Sequence, residues 1–257
     1  FTALARRLDG RRLVAPDLRG RGRSAALPPP YGLRRHAEDL EAVLDALELE
    51  RVVAVGHSLG AFVAVALADR LPARVERLVL VDGGMPLVLP EGRTVEQQLA
   101  AVLGPAAARL RASFASREEY HAFWRAHPAV GASWGPDLRD YADYDLVGEP
   151  GSYRAATAER AVLDDGAELY GPAWYLAALR GIRAPTTLLR APRDLLARPG
   201  GLYPPGDLDA APELVPRLEL VEVPDVNHYT ILFDGPGLDA VTAAIADPTP
   251  PETKESR

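Results

Sequence analysis

The ten residues VVAVGHSLGA, positions 52–61, restrict the fold of this chain more than any other stretch. β-branched and small apolar residues lead into a glycine, and a second glycine and an apolar run follow a single serine. A strand that turns into a helix within one residue forces that residue into strained backbone geometry, and side chains two positions to either side would collide. Gly56 and Gly60 meet that demand, so the pattern predicts that Ser58 is exposed at the carboxyl end of a strand.

The rest of the chain alternates strand and helix patterns. We predict strands at residues 12–18, 52–56, 75–81, 186–190 and 218–223, and helices at residues 33–49, 61–71 and 238–246. Strands that alternate with helices at this spacing predict an α/β fold, with a mostly parallel, doubly wound sheet and helices on both faces.

Residues 85–181 interrupt this alternation and are predicted to form a helical cap insertion. Helical patterns at 95–103, 106–115 and 118–126 are separated by prolines, and the segment holds 11 of the 17 aromatic residues. We therefore divide the chain into a first core part, residues 1–84, the insertion, and a second core part, residues 182–247. The polar, proline-rich tail, residues 248–257, is predicted to be disordered.

Composition excludes several classes of partner and chemistry. The formal net charge of −7 argues against a nucleic-acid or anionic-membrane partner, because both need a basic surface. No apolar run reaches the roughly 18 residues of a membrane helix. Without cysteine there is no disulfide, thiolate metal site or cysteine nucleophile. We expect a cytoplasmic protein that acts on a small molecule, and its oligomeric state stays open.

Ser58 is the candidate nucleophile, and five histidines are candidates for the base that it needs. The helix after Ser58 supplies a positive dipole end, and the N–H of Leu59 can face a developing oxyanion. Capping of that helix would also explain the serine, but not the two glycines. Of the histidines, His228 follows the last predicted strand, at the edge of the sheet where Ser58 emerges. The others are His36, His57, His121 and His127.

The acid that orients the base has two candidates. We favour Asp194, which follows the penultimate predicted strand and is consistent with the chain order Ser, Asp, His. Asp82, at the end of the strand at 75–81, is the alternative. Asp225 lies only three residues before His228 and is assigned to the loop itself.

These motifs resemble those of the α/β-hydrolase fold superfamily. VAPDLRGRGRS resembles the strand and loop before its first core helix, VGHSLGA its nucleophile elbow, and VNHYT its histidine loop. The insertion lies where the family carries its helical cap. The resemblance implies a serine hydrolase that needs no metal or organic cofactor. Relatives of the epoxide hydrolase and haloalkane dehalogenase type are excluded, because they carry aspartate in place of Ser58.

The resemblance also implies a segment upstream of Phe1. Family members have a strand ending in His-Gly, whose loop supplies the second oxyanion donor. We expect that donor to be missing from this chain, and removal of one donor typically costs about 10²- to 10³-fold in rate. The 257 residues alone are therefore expected to be weakly active.

The expected reaction is hydrolysis of an ester-type bond (ester, lactone or thioester) or a related acyl bond through an acyl-enzyme on Ser58. The aromatic-rich insertion suggests a small, apolar substrate. Two alternatives stay open: a carbon–carbon bond hydrolase that uses the same three side chains, and a catalytically silent ligand-binding protein of this fold. The candidate substrate contacts are His57, Trp124, Trp134 and Tyr229.

Overall fold

A four-stranded parallel sheet forms the centre of the protein, in a computed structural model that describes residues 1–233 and 235–246. The strands, given in their spatial order, are β1 (Val52–His57), β2 (Val75–Val81), β5 (Thr186–Arg190) and β6 (Leu218–Glu222). All the pairings between them are parallel, as predicted for an α/β fold. The carboxyl ends of the four strands therefore meet at one edge of the sheet.

Helices cover both faces of this sheet. Leu78, Leu80 and Leu188 point to the face that carries α2 (Leu33–Ala46) and α3 (Leu59–Arg70). Their neighbours Val79, Val81 and Leu189 point to the opposite face, against α1 (Thr2–Ala5) and α11 (Gly235–Ala246). This alternation is the period-two pattern of a strand that is buried on both faces. The short α10 (Ala211–Leu214) precedes β6.

The predicted strand at residues 12–18 is not formed, and this prediction was wrong. The segment is irregular, and Leu13 is 40% exposed. A strand needs a neighbour to pair its backbone N–H and C=O groups, and apolar residues alone do not provide one. Within the described part of the chain, β1 is hydrogen-bonded to β2 only, so no strand lies at the outer edge of β1.

The part of the insertion before residue 173 contains five α-helices and a small hairpin. The helices are α4 (Val95–Leu103), α5 (Pro105–Ala108), α6 (Arg117–Arg125), α7 (Pro136–Tyr144) and α8 (Glu159–Ala167). The hairpin pairs β3 (Leu146–Val147) with β4 (Arg154–Ala155), and strands of two residues are too short to leave a period in the sequence. Tyr120, Trp124 and Leu138 belong to an apolar cluster of the insertion itself. The predicted helix at 106–115 ends early, at Ala108.

The last helix before β5 packs with the core of the sheet. Helix α9 (Ala173–Gly181) buries Tyr175, Ala178 and Leu179 in the same cluster as α3, and the rings of Tyr175 and Phe62 lie 5.6 Å apart. The domain boundaries at 84/85 and 181/182 stay a prediction. The predicted disordered tail lies outside the described residues.

A buried carboxylate joins the insertion to the start of α2. Asp165, on α8, accepts a hydrogen bond from the N–H of Gly32 at 2.7 Å, lies 3.0 Å from Nε2 of His36, and pairs with Arg21 at 2.7 Å. Asp165 and His36 are almost fully buried. Burial by itself would raise the pKa of the Asp165 carboxyl, but the His36 hydrogen bond and the Arg21 charge outweigh it and hold that pKa below its ordinary value.

We expect Asp165→Ala to lower the free energy of unfolding by about 3–5 kcal/mol, because the substitution leaves His36 and Arg21 without their buried partner. Since the folded pKa of Asp165 lies below its ordinary value of 3.8, the stabilisation is complete above pH 3.8 and is lost as the pH falls through the folded pKa. Urea unfolding at several pH values measures both effects.

The neighbouring Asp164 provides a matched control, because it is partly exposed and pairs with Arg160 one helical turn away. Asp164→Ala should cost about 0.5 kcal/mol or less. Equal losses for the two variants would contradict a stabilising role of the Asp165 cluster.

Candidate active site

Ser58 occupies a strained turn between β1 and α3. Its φ is +53°, in the left-handed region that non-glycine residues rarely adopt, and its side chain makes no capping hydrogen bond to α3. Helix capping therefore does not account for this serine. The backbone N–H of Ser58 donates to the carbonyl oxygen of Val81 at 3.0 Å, which ties the turn to the end of β2.

The two glycines of the turn have different roles. A Cβ atom at Gly56 would lie 2.1 Å from the carbonyl oxygen of Gly60, so the turn excludes any side chain there. A Cβ at Gly60 would meet nothing within 4 Å, and the collision predicted on that side does not occur. Gly83, on the neighbouring strand end, is the second glycine that the turn needs, because its Cβ would lie 2.4 Å from the Ser58 carbonyl oxygen.

His228 and Asp82 are hydrogen-bonded to each other in the interior. Nδ1 of His228 lies 2.7 Å from Oδ2 of Asp82, and both residues are buried. Because a carboxylate only accepts, Nδ1 of His228 carries the proton of this hydrogen bond. Oδ1 of Asp82 accepts from the N–H of Ala191 at 3.0 Å. Each carboxylate oxygen of Asp82 is therefore hydrogen-bonded, one to the His228 imidazole and the other to the backbone N–H of Ala191, after β5.

Asp194, the acid that the sequence favoured, does not bind the imidazole. Its Oδ1 accepts from the N–H groups of Leu196 and Arg198, and its Oδ2 accepts from Nε of Arg198 at 2.7 Å. Burial raises the pKa of Asp194, but the hydrogen bonds from Arg198 and Leu196 outweigh it and leave that pKa below its ordinary value. The loop of Asp194 meets His228 through the backbone, where the His228 N–H donates to the Arg193 carbonyl oxygen at 3.0 Å. The contacts therefore favour Asp82 over Asp194 as the partner of the His228 imidazole.

Two buried tyrosines hold the turn that follows Asp82. Asp82 itself has a φ of +43°, a second strained position beside Ser58. The hydroxyl of Tyr175 donates to the Gly84 carbonyl oxygen at 2.7 Å, and that of Tyr203 donates to the Met85 carbonyl oxygen at 2.9 Å. Burial raises the pKa of both hydroxyls, so they remain donors. Sequence analysis missed both tyrosines, because they belong to no motif.

His57 contacts the histidine loop. Its Nε2 lies 2.7 Å from the carbonyl oxygen of His228, and the centres of the two rings are 4.6 Å apart. Burial, and then the charge of a protonated His228, hold the pKa of His57 well below its ordinary value, so His57 is neutral. Nε2 of His57, one of the candidate substrate contacts, is therefore bonded to the backbone of the histidine loop.

The other three proposed substrate contacts lie around the junction of the insertion with the histidine loop. The Tyr229 ring is 5.6 Å from that of His228 and 6.1 Å from that of Trp124. Trp124 is buried in the insertion, while Trp134 is partly exposed and lies 5.5 Å from the His121 ring. The structure brings Trp124 and Tyr229 together and leaves Trp134 beside His121. Their contact with a substrate stays a prediction.

Other features of the structure lie apart from these residues. A cavity of about 230 Å³ opens between α4, α5 and α8, lined by Leu99, Leu103, Leu110 and Val162 among others, and it borders neither Ser58 nor His228. Residues 1–233 and 235–246 contain no group of three acidic or histidine side chains that could hold a metal ion. No helix in this part of the chain combines the length and the apolar character needed to cross a membrane.

Two known proteins share sequence similarity with parts of the chain. An uncharacterised protein of Mycobacterium tuberculosis is 42% identical over 72 residues, which make up 28% of this chain and 21% of that protein. The 2-hydroxy-6-oxo-2,4-heptadienoate hydrolase of Pseudomonas putida is 41% identical over 87 residues, 32% of this chain and 30% of that enzyme. The matches thus span less than a third of these relatives.

Structural similarity extends over most of the chain. The crystal structure of a hypothetical protein from Pseudomonas aeruginosa superposes with a TM-score of 0.66 and 31% identity, covering 94% of this chain and 83% of that one. The sequence model of the alpha/beta hydrolase fold family matches residues 1–235. With its parallel sheet and the strained serine turn after β1, the chain belongs to the α/β hydrolase fold family.

Proposed function

We propose that this protein is a serine hydrolase that cleaves an ester-type acyl bond through a covalent intermediate on Ser58. The observation that carries the proposal is the buried Asp82–His228 hydrogen bond, at the edge of the sheet where the Ser58 turn emerges. A histidine whose Nδ1 is held by a carboxylate is oriented to use Nε2 as a general base.

In the proposed first step, Nε2 of His228 takes the proton of the Ser58 hydroxyl while Oγ attacks the carbonyl carbon of the substrate. The oxyanion that forms accepts a hydrogen bond from the N–H of Leu59, which is the first residue of α3 and has no partner within the helix. The intermediate then expels the alcohol, which takes the proton from His228, and leaves an acyl group on Ser58.

The second step releases the acid. His228 takes a proton from a water molecule, the hydroxide attacks the acyl carbon, and Ser58 leaves with the proton returned by His228. Asp82 keeps its hydrogen bond to Nδ1 throughout and stabilises the imidazolium in both steps. Because Asp82 is held by the N–H of Ala191 as well, the carboxylate does not have to reorganise when the charge appears.

For the substrate, we propose a small, apolar acyl compound. The side of His228 that faces the insertion is lined by the aromatic rings of Tyr229 and, behind it, Trp124. Aromatic walls favour an apolar ligand, and no metal or organic cofactor is required for acyl transfer by these groups.

A carbon–carbon bond hydrolase is the second candidate. It is favoured by the 41% identity to the Pseudomonas putida protein, whose name gives a hydroxy-oxo-dienoate as its substrate. Parallel assays with a short p-nitrophenyl ester and with a hydroxy-oxo-dienoate separate the two reactions, because a single enzyme should prefer one of them by a wide margin.

The nucleophile is tested by labelling with a fluorophosphonate, which reacts covalently with activated serines. We expect intact mass spectrometry to show one adduct on the protein and none on Ser58→Ala, because in the proposed mechanism His228 activates the Ser58 hydroxyl. Ser116→Ala is the matched control, since Ser116 caps α6 with its hydroxyl and should leave the labelling unchanged. A folded wild-type protein that takes no label would instead favour a catalytically silent ligand-binding protein.

The acid is tested by comparing Asp82→Asn with Asp194→Asn. We expect Asp82→Asn to lower kcat for p-nitrophenyl ester hydrolysis by about 10⁴-fold, because an amide holds the imidazole in the wrong tautomer. Asp194→Asn should cost less than about 10-fold, since Asp194 only shapes its own loop. The reverse ranking of the two variants would reassign the acid to Asp194.

A further inference from the structure

We propose that His57 is a positioning residue, which fixes the base His228 relative to the nucleophile Ser58 through a hydrogen bond to the His228 carbonyl oxygen. This inference rests on the proposed serine hydrolase mechanism. His57 is the last residue of β1 and directly precedes Ser58. A single residue therefore connects the strand that carries the nucleophile to the loop that carries the base.

The direction of this hydrogen bond follows from its partners. A carbonyl oxygen only accepts, so the Nε2 of His57, 2.7 Å away, is the donor. The neutral ring then carries its proton on Nε2. The two imidazole rings meet with centres 4.6 Å apart and planes inclined by 39°, so His57 supports His228 by packing as well as by the hydrogen bond.

His228 is held at three atoms, each by a different part of the fold. Its N–H donates to the Arg193 carbonyl oxygen after β5, and its Nδ1 donates to Asp82 after β2. Its carbonyl oxygen accepts from His57 on β1. The first two contacts set the base relative to the acid and to the neighbouring loop. The third contact sets it relative to the strand that ends at the serine.

The loss of the third contact therefore has a specific consequence. Without it, the Asp82–His228 hydrogen bond can persist while the imidazole shifts relative to Ser58. A displacement of about 1 Å between reacting groups can cost about 10²-fold in rate. The affinity for substrate should change little, because the His57 donor is already used by the backbone.

The neutral state of His57 suits this position. During acylation His228 becomes positively charged, and a second positive charge 4.6 Å away would disfavour that step. Burial and the proximity of His228 both lower the pKa of His57, which keeps the ring uncharged when the base takes its proton. A neutral His57 can thus donate to the His228 carbonyl oxygen without disfavouring the protonation of His228.

The test compares His57→Gln, His57→Asn and His57→Leu in the 257-residue chain. The side-chain amide of glutamine can place a donor near the Nε2 position, asparagine is too short to do so, and leucine has no donor. The control is His121→Leu, which removes a partly buried histidine bonded to Asp143 in the insertion. Readouts are the rate of fluorophosphonate labelling, kcat and KM for a p-nitrophenyl ester, and thermal unfolding of each variant.

We expect His57→Leu and His57→Asn to lose about 10²-fold in kcat with KM within about twofold, and His57→Gln to recover to within about 10-fold of wild type. If the leucine variant does not fold, the comparison between the His57→Gln and His57→Asn variants tests the same prediction. His121→Leu should react at the wild-type rate.

Three results would overturn the inference. A leucine variant that labels as fast as wild type would remove the positioning role and leave the serine hydrolase mechanism intact. A raised KM with unchanged kcat would make His57 a substrate contact. A folded glutamine variant no better than asparagine would show that the hydrogen bond is not the cause. Failure of the mechanism itself is seen separately, as absence of labelling in the wild-type protein.

Discussion

The hydrogen bond between Asp82 and His228 is the contact on which the rest of the candidate site depends. It joins the end of β2 to the loop after β6, two parts of the chain 146 residues apart, across the intervening end of β5. A buried carboxylate is costly unless its oxygens are hydrogen-bonded, and the Ala191 N–H occupies the second oxygen. The imidazole is thereby oriented with Nδ1 as the donor to Asp82, the arrangement that the proposed mechanism needs.

Two strained residues lie side by side at this edge. Ser58 and Asp82 both have positive φ, and they follow the paired residues His57 and Val81 at the ends of β1 and β2. Such strain persists only where the surrounding structure determines the backbone conformation. Here the backbone N–H of Ser58 donates to the carbonyl oxygen of Val81, and Gly83 leaves room for the carbonyl oxygen of Ser58. The hydroxyls of the two tyrosines donate to the backbone carbonyl oxygens of Gly84 and Met85, which follow Asp82. The stability of the buried sheet offsets the strain energy of these two turns.

The sequence predicted those parts of the fold that are encoded locally. The serine turn, four of the five strands and the helices next to them follow from periodicity and from glycine placement. The choice of acid could not be predicted, because Asp82 and Asp194 each follow a parallel strand and both strands end at the same edge. Chain order is the same for both, and only three-dimensional contacts separate them. The absent strand at residues 12–18 shows a similar limit, since its apolar pattern says nothing about whether a partner strand is present.

Two of the contacts between the insertion and the core involve different elements of the core. At one, Asp165 binds the start of α2 through Gly32 and His36, far along the chain from the base. At the other, Nδ2 of Asn227 donates to the carbonyl oxygen of Ala129 at 2.9 Å, directly before His228. Asn227 thus connects the histidine loop to the insertion, and His57 connects the backbone of His228 to β1. A displacement of the insertion would act on the histidine loop through Asn227, and the contacts of His228 with His57, Asp82 and Arg193 would oppose it. In the proposed mechanism the same loop has to contact the insertion and keep His228 within reach of Ser58, which accounts for the hydrogen bonds of its backbone on both sides of the imidazole.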